Sequence, residues 1–351
     1  MRIGVLLPNW VGDCVMATPA LRTLRQELPD ARIIGIAKPY LASLLAGTRW
    51  LDRTIPWEHK GRGRLGRTSR LLSELRSEEL DVFILLRASL SAGLIARLSG
   101  ARYTIGYARR GLQWLLTNPA PPLHHGRGSP PVSAVDDYLN LVGTLGLHAE
   151  SRHVELATTP PDEAAADGVW QRLALPPGDR IMLLNAGGAY GEAKHWPAEY
   201  CVSLALRAAE EFDLTTLVLC GPQERDAALA IEKAAHHPQV CSLAGEDVSF
   251  GTTKAIIRRC RLMVTSDSGP RHIAAALGTP TIVLFGPIDA RWSRNYQQQS
   301  IELSVPLDCA PCGRRACPLG HHRCMRDLTV DQVLKAVEQT LNTTIRTREA
   351  A

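Results

Sequence analysis

Residues 261–287, RLMVTSDSGPRHIAAALGTPTIVLFGP, decide the fold. An apolar run ends in Ser266, Asp267 and Ser268; Gly269 lets the backbone come close to a neighbour, and Pro270 suits the first turn of a helix. That helix runs to Gly278, a helix-closing residue, and a second apolar run, TPTIVLFGP, follows at once. Strand, helix and strand in so short a span form a βαβ unit, and such units build parallel sheets. Unpaired N–H groups and the positive end of the helix dipole make the helix start a place for phosphate or pyrophosphate. Ser268 adds a hydroxyl there, and His272 faces the same ligand from the first turns. Simple capping by Asp267 or Ser268, and a core-packed His272, are the alternatives.

The same alternation extends both ways. The strand RIMLLNAGG at 180–188, a helix opened by Pro197, the strand TTLVLCGP at 215–222 and a helix over 224–235 give one doubly wound domain. Nearer the start, a strand over 2–7, a helix over 17–27, a strand over 31–37, helices near 71–76 and 91–98, strands at 81–86 and 103–105, and a helix over 135–145 give another. The expected division is 1–165, 175–330, and a C-terminal helix and tail over 331–351. ATTPPDEAAADG at 157–168 reads as a linker, and TNPAPPLHHGRGSPP at 117–131 as irregular chain. Two such α/β domains place a cleft between the carboxyl ends of their strands.

Composition narrows the function. With 351 residues and 45% hydrophobic content the chain can bury two ordinary cores. No apolar run approaches the roughly 20 residues of a membrane span, and the apolar stretch before Pro8 is too short for a signal peptide, so a cytoplasmic location is expected. A net charge of +5 does not by itself imply nucleic acid. Nine cysteines, an odd number, favour reduced thiols or a metal site over a disulfide framework.

Four further stretches carry chemistry. NAGGAYGEAKHWPAEY at 185–200 sets Gly187 and Gly188 just after a strand, where the backbone can approach a ligand, and Lys194 just before a helix. It matches neither a P-loop nor GxGxxG, which weakens nucleotide hydrolysis and hydride transfer. Lys194 is either a point charge for a departing diphosphate or a solvated lysine. CAPCGRRACPLGHHRC at 309–324 spaces Cys309, Cys312, Cys317 and Cys324 as a structural zinc or iron site would, or as reduced thiols in a knotted loop. HKGRGRLGRTSR at 59–70 carries Lys60, Arg62, Arg64 and Arg67 without an acid, a loop that meets phosphates or is merely solvated. Asp13, after Gly12 in NWVGDCVMATPALR, lies just past a strand's carboxyl end; it is a helix cap or a group placed at a ligand.

LPNWVGDCVMATPALRTLR, AKHWPAEY, VTSDSGPRHIAAALGTPTIVLFGP and CPLGHHRCMRDLTVDQVL, in this order along nearly the whole chain, resemble the bacterial ADP-heptose:lipopolysaccharide heptosyltransferases, the heptosyltransferase II branch above all. The resemblance implies a GT-B fold: two Rossmann-like doubly wound domains facing across a cleft, acceptor on the first and sugar nucleotide on the second. It implies transfer of L-glycero-D-manno-heptose from ADP-heptose to the heptose of the lipopolysaccharide inner core, with inversion and no catalytic metal or other cofactor. Asp13 then matches the catalytic base, and Lys194 with Asp267, Ser268 and Gly269 steadies the departing ADP. His272, Glu224, Gly187 and Gly188 fall at donor-binding positions, although the two glycines stand where some relatives carry hydroxyl residues. Gly12, Lys60, Arg62, Arg64 and Arg67 fall on the side of the anionic, lipid-linked acceptor, with peripheral attachment to the inner-membrane surface and no nucleic acid expected. An ADP-heptose transferase with another acceptor (the first core sugar, another glycan or a protein), a sugar-nucleotide epimerase and a noncatalytic nucleic-acid-binding module are the rivals.

Overall fold

Strands Arg2–Leu6 and Leu262–Ser266 are buried at every residue but Arg2, without the alternation of a half-exposed sheet. Such strands need helices on both faces, and that requirement organises the fold. The computed structural model describes the chain apart from residues 59–63, 110, 124–129, 186, 189 and 350–351, and only the backbone at 64 and 344–349. The described residues form two units. One is Met1–Ala157 with Arg294–Tyr296, and the other is Thr158–Ser293 with Gln297–Ala351.

The first unit contains β1 (Arg2–Leu6), α1 (Val11–Met16), α2 (Thr18–Glu27), β2 (Arg32–Ala37), α3 (Pro39–Leu45), β3 (Arg53–Pro56), α4 (Arg64–Ser77), β4 (Val82–Leu85), α5 (Leu90–Leu98), β5 (Tyr103–Tyr107), β6 (Asn118–Ala120) and α6 (Ala134–Gly143). Its strands pair in parallel in the order β3-β2-β1-β4-β5-β6. On one face, Leu71 and Leu75 of α4 and Ala92, Ile95 and Ala96 of α5 close over Leu6, Ile34, Ile36, Phe83 and Leu85 of the sheet. Each such aliphatic or aromatic side chain taken fully from water contributes about 1.5–3 kcal/mol. The short return segment 294–296 is fastened by the Ser133 hydroxyl, which donates to the Arg294 carbonyl at 2.6 Å, and by the Tyr296 hydroxyl on Asp136.

The second unit contains α7 (Pro160–Arg172), β7 (Ile181–Asn185), α8 (Ala198–Phe212), β8 (Thr215–Val218), α9 (Arg225–Ala235), β9 (Val240–Ser242), α10 (Phe250–Arg259), β10 (Leu262–Ser266), α11 (Gly269–Ala276), β11 (Thr281–Phe285), β12 (Ser300–Ser304), α12 (Arg323–Arg326) and α13 (Val330–Glu349). Its parallel order, β12-β11-β10-β7-β8-β9, repeats that of the first unit. In both, the order reverses beside the first strand, so a crevice opens at the carboxyl ends of β1 and β4, and of β7 and β10.

Several segments differ from the sequence reading. The stretch expected as a linker is the start of α7, where Thr159 and Asp162 form a reciprocal capping box and α7 packs on α10. The proline-rich 117–131 contributes the edge strand β6. The basic stretch is helical from Arg64 onward, as α4. The C-terminal helix does not stand apart, because α13 packs on α8 and β11. No described helix is long and apolar enough to cross a membrane.

Candidate active site

The crevice of the second unit is built from two neighbouring strand ends. β7 finishes in Asn185, in register with Thr265 of β10. The Asn185 amide donates to Thr265 Oγ1 at 3.1 Å and to Ser268 Oγ at 2.8 Å, and the Ser266 hydroxyl donates to the Gly187 carbonyl at 2.5 Å. These bonds tie the loop after β7 to the start of α11. Ser268 is the N-cap of α11 in extended conformation, yet its side chain caps no N–H. With its hydroxyl held by Asn185, the first-turn N–H groups of α11 stay directed at whatever lies beyond the helix start.

Beneath that start lies a buried charge cluster. Lys194 Nζ donates to the Asp267 carbonyl at 2.7 Å and to its carboxylate at 2.9 Å, while Arg271 donates to the other carboxylate oxygen at 2.7 Å. Arg271 also reaches the Ser293 hydroxyl at 3.0 Å and, at 3.5 Å, Glu302. Lys194, Asp267 and Arg271 are all nearly inaccessible. Burial alone would raise the Asp267 carboxyl; attraction to Lys194 and Arg271 outweighs it and holds the group well below the usual carboxylate range. Burial, reinforced by the Arg271 cation, pushes the His272 imidazole down to about 3, so it is neutral near pH 7. The lysine is therefore not a solvated surface group: its ammonium lies 4.6 Å from the Tyr190 ring centre, and the Tyr190 hydroxyl is anchored on the Gly313 carbonyl.

Glu224 approaches the same crevice from the end of β8. One carboxylate oxygen accepts the Gly221 N–H at 2.9 Å. The other lies so near Gly187 that a Cβ there would meet it at 2.7 Å, and any side chain at 187 would make the Glu224 carboxylate shift. A Cβ at Gly188 would stand 3.5 Å from Ser268 Cβ, at the limit of ordinary contact. Lys194, Gly187, Gly188, Glu224, Asp267, Ser268, Gly269 and His272 thus belong to one unit and cluster about the ends of β7, β8 and β10. Asn185 and Arg271 join them. Neither stood out in the sequence; the signal available was Asn185 closing an otherwise apolar strand and Arg271 standing in the first turn of a mostly apolar helix.

Asp13 and Gly12 sit in the first turn of α1, directly after β1. The N-cap residues of α1 and α2 are Trp10 and Ala17, so Asp13 is the N-cap of neither helix. It is part-exposed. Its charge is felt by two buried neighbours: burial first and Asp13 second raise the Cys14 thiol to about 12, and in the same order they raise the Tyr138 phenol. Of the basic residues, Arg67 lies in α4 and its Nε donates to the Glu58 carbonyl at 3.2 Å. Lys60 and Arg62 lie outside the described residues, as does the side chain of Arg64.

Cys309, Cys312, Cys317 and Cys324 do line one small cavity, with His321. Among the described residues, however, no group of three Cys, His, Asp or Glu side chains is arranged to hold a metal ion. Cys312 points to the exposed side, and the Cys317 sulfur is taken up by backbone N–H groups, that of His322 foremost, which lower its pKa. The spacing brings the thiols together without the tetrahedral convergence that zinc or iron requires, so the structure does not support the expected structural metal.

The family model of glycosyltransferase family 9 (heptosyltransferase) matches residues 68–323. Lipooligosaccharide heptosyltransferase 2 of Campylobacter jejuni is 27% identical over 347 residues, covering 97% of this chain and 98% of that protein. The solved structure of Escherichia coli ADP-heptose lipopolysaccharide heptosyltransferase II matches with a TM-score of 0.80 at 22% identity, covering 98% of this chain and 99% of that one. The family 9 glycosyl transferase of Veillonella parvula matches at 0.84 and 23%, covering 97% of each. Two doubly wound parallel sheets in one chain, and likeness over its full length to GT-B enzymes, place this chain in glycosyltransferase family 9, the heptosyltransferases.

Proposed function

We propose that this glycosyltransferase moves L-glycero-D-manno-heptose from ADP-heptose to the heptose of the lipopolysaccharide inner core in one inverting displacement. The observation that carries this reading is the buried Lys194–Asp267–Arg271 cluster under the open first turn of α11. Two of the three ammonium protons of Lys194 are committed to Asp267, and the third serves an oxygen of the diphosphate. First-turn N–H groups of α11 meet the same anion. As the acceptor hydroxyl attacks the anomeric carbon, the bond from that carbon to the phosphate oxygen breaks and negative charge grows on ADP. Fixed donors in a buried setting favour that developing charge over water. His272, held neutral, leaves Lys194 and the first-turn N–H groups to meet that charge, and Glu224 receives a ribose hydroxyl.

Asp13 takes the proton from the attacking hydroxyl. A carboxylate at a strand's carboxyl end, part-exposed and outside the N-cap positions, is placed to reach a sugar hydroxyl. The acceptor is lipid-linked and anionic; Lys60, Arg62, Arg64 and Arg67 meet its phosphates or the inner-membrane surface, to which the enzyme attaches from the cytoplasmic side without spanning it. The relatives named heptosyltransferase 2 support this choice of acceptor.

The test incubates purified enzyme with ADP-heptose and defined core acceptors. ADP release that requires a heptose-terminated acceptor, with a product of inverted anomeric configuration, supports the proposal. Turnover only with a core lacking heptose, or heptose release without any acceptor, overturns it.

A further inference from the structure

The crevice of the first unit contains a second charged group that the mechanism does not use. Arg87 follows β4 directly, where the Leu86 N–H pairs with the Leu6 carbonyl at the end of β1. It therefore stands on the opposite lip of the reversal point from the β1 end that leads to Asp13. Its guanidinium lies 5.2 Å from the ring centre of Trp57, the residue just after β3. Arg87 itself lies at the carboxyl end of β4, beside the reversal point, where open α/β sheets gather ligands.

The Nε and Nη2 atoms of Arg87 are hidden from solvent and have no hydrogen-bond partner among the described residues. No described carboxylate pairs with this cation, although the residue as a whole is part-exposed. A hidden guanidinium nitrogen without an acceptor is costly, and such groups are ordinarily satisfied. Arg67 is fixed separately, to the carbonyl of Glu58, next in sequence to Trp57. The Arg87 guanidinium is thus oriented by a ring face that makes no hydrogen bond to it. With Nε and Nη2 hidden, Nη1 is the nitrogen of this guanidinium left to meet an anionic group, and a charge-assisted bond there suits a phosphate or carboxylate oxygen.

We propose that Arg87 is an acceptor-binding residue: its guanidinium, laid on Trp57 at the β1–β4 crevice, receives a phosphate or carboxylate group of the sugar acceptor. This rests on the proposed transfer reaction and adds to it a specific anion subsite on the acceptor side.

Arg87→Gln and Arg87→Lys are compared with wild type in acceptor and donor titrations. Losing a charge-assisted bond is expected to raise the acceptor KM at least about tenfold in Arg87→Gln while the donor KM stays within about twofold, and Arg87→Lys recovers part of the loss. Acceptors lacking either their phosphate or their carboxylate identify the source: the one that abolishes the difference between wild type and Arg87→Gln bears the bound group. A separate arm needs no turnover. In saturating ADP, inorganic phosphate or acetate should raise the melting temperature of wild type and leave that of Arg87→Gln unmoved. If wild type transfers no heptose, the proposed reaction fails while this arm still decides the subsite. An unchanged acceptor KM, with the anions protecting wild type and Arg87→Gln equally, overturns the inference and leaves Arg87 a packing partner of Trp57. If Arg87→Gln does not fold, Arg87→Lys carries the same comparisons.

Discussion

Replacing Lys194 by alanine tests whether the charge cluster is a single buried unit. The lysine and Asp267 side chains are 9% and 8% exposed and 2.9 Å apart, and the ammonium also serves the Asp267 carbonyl. Removing one partner of a buried pair typically costs 3–5 kcal/mol, because the other charge stays buried without compensation. Here Asp267 keeps Arg271 at 2.7 Å, so Lys194→Ala belongs at the low end, about 3 kcal/mol. Asp267→Asn leaves Lys194 and Arg271 as like charges facing a neutral amide, and about 4 kcal/mol is expected. The double variant removes the repulsion together with the pair. Its cost should fall short of the sum by about 2 kcal/mol, the coupling expected of residues within one network. Urea unfolding of the four proteins measures each quantity, and ADP affinity is read alongside. A Lys194→Ala cost below about 1 kcal/mol, with coupling near zero, would show that the pair behaves as an exposed ion pair does and is no buried unit.

Three further outcomes follow from the same geometry. The folded-state value of His272, about 3, lies below its ordinary 6.5, so the fold favours the neutral ring; this contribution is whole above pH 6.5 and lost as pH falls toward 3. Wild type should lose about 3 kcal/mol from this group by pH 4, and a neutral His272→Gln should flatten that limb of the stability curve. Asp267 titrates in the same direction but lower, its contribution persisting until pH falls through its depressed value. Gly187→Ala drives a methyl into the Glu224 carboxylate, 2.7 Å from the ideal Cβ, and should raise the donor KM several-fold while sparing the acceptor KM; equal donor KM values would show that Glu224 has no part in nucleotide binding. Reversing the charge of Arg67, which lies beside Trp57–Glu58, should raise the acceptor KM and leave donor affinity alone, and an unchanged KM would remove the basic helix start from the acceptor site.

The two doubly wound sheets were legible because their central strands are continuous apolar runs punctuated by helix starts. Several of the segments that escaped are incompletely buried, though the well-buried α10 also went unread. SIELS, now β12, is a half-exposed edge strand with no apolar run, and β9 has only three residues. α7 buries just Ala166 and Val169, so its periodicity is faint; its Thr159–Asp162 capping signal was present beneath the pair of prolines that suggested a linker. α1 is a six-residue helix whose N-cap is a tryptophan without a side-chain cap, and nothing local announces it. At the site, Asp267, Ser268, Gly269 and Lys194 could be picked out because they flank strand ends and a helix start. Asn185, Arg271 and Arg87 could not, since a polar side chain buried by tertiary packing looks like any other in sequence. The cysteines teach the converse: CxxC spacing sets how near the sulfurs lie along the chain, not whether they converge on one point.

Asp13 is the residue on which the proposed transfer turns. Transfer from ADP-heptose to a heptose-terminated inner-core acceptor is measured for wild type and Asp13→Asn, with donor affinity determined for both. General-base catalysis predicts turnover at least ~100-fold slower in the variant with donor binding unchanged. Equal rates in the two proteins would contradict it and send the search for the base elsewhere in the crevice.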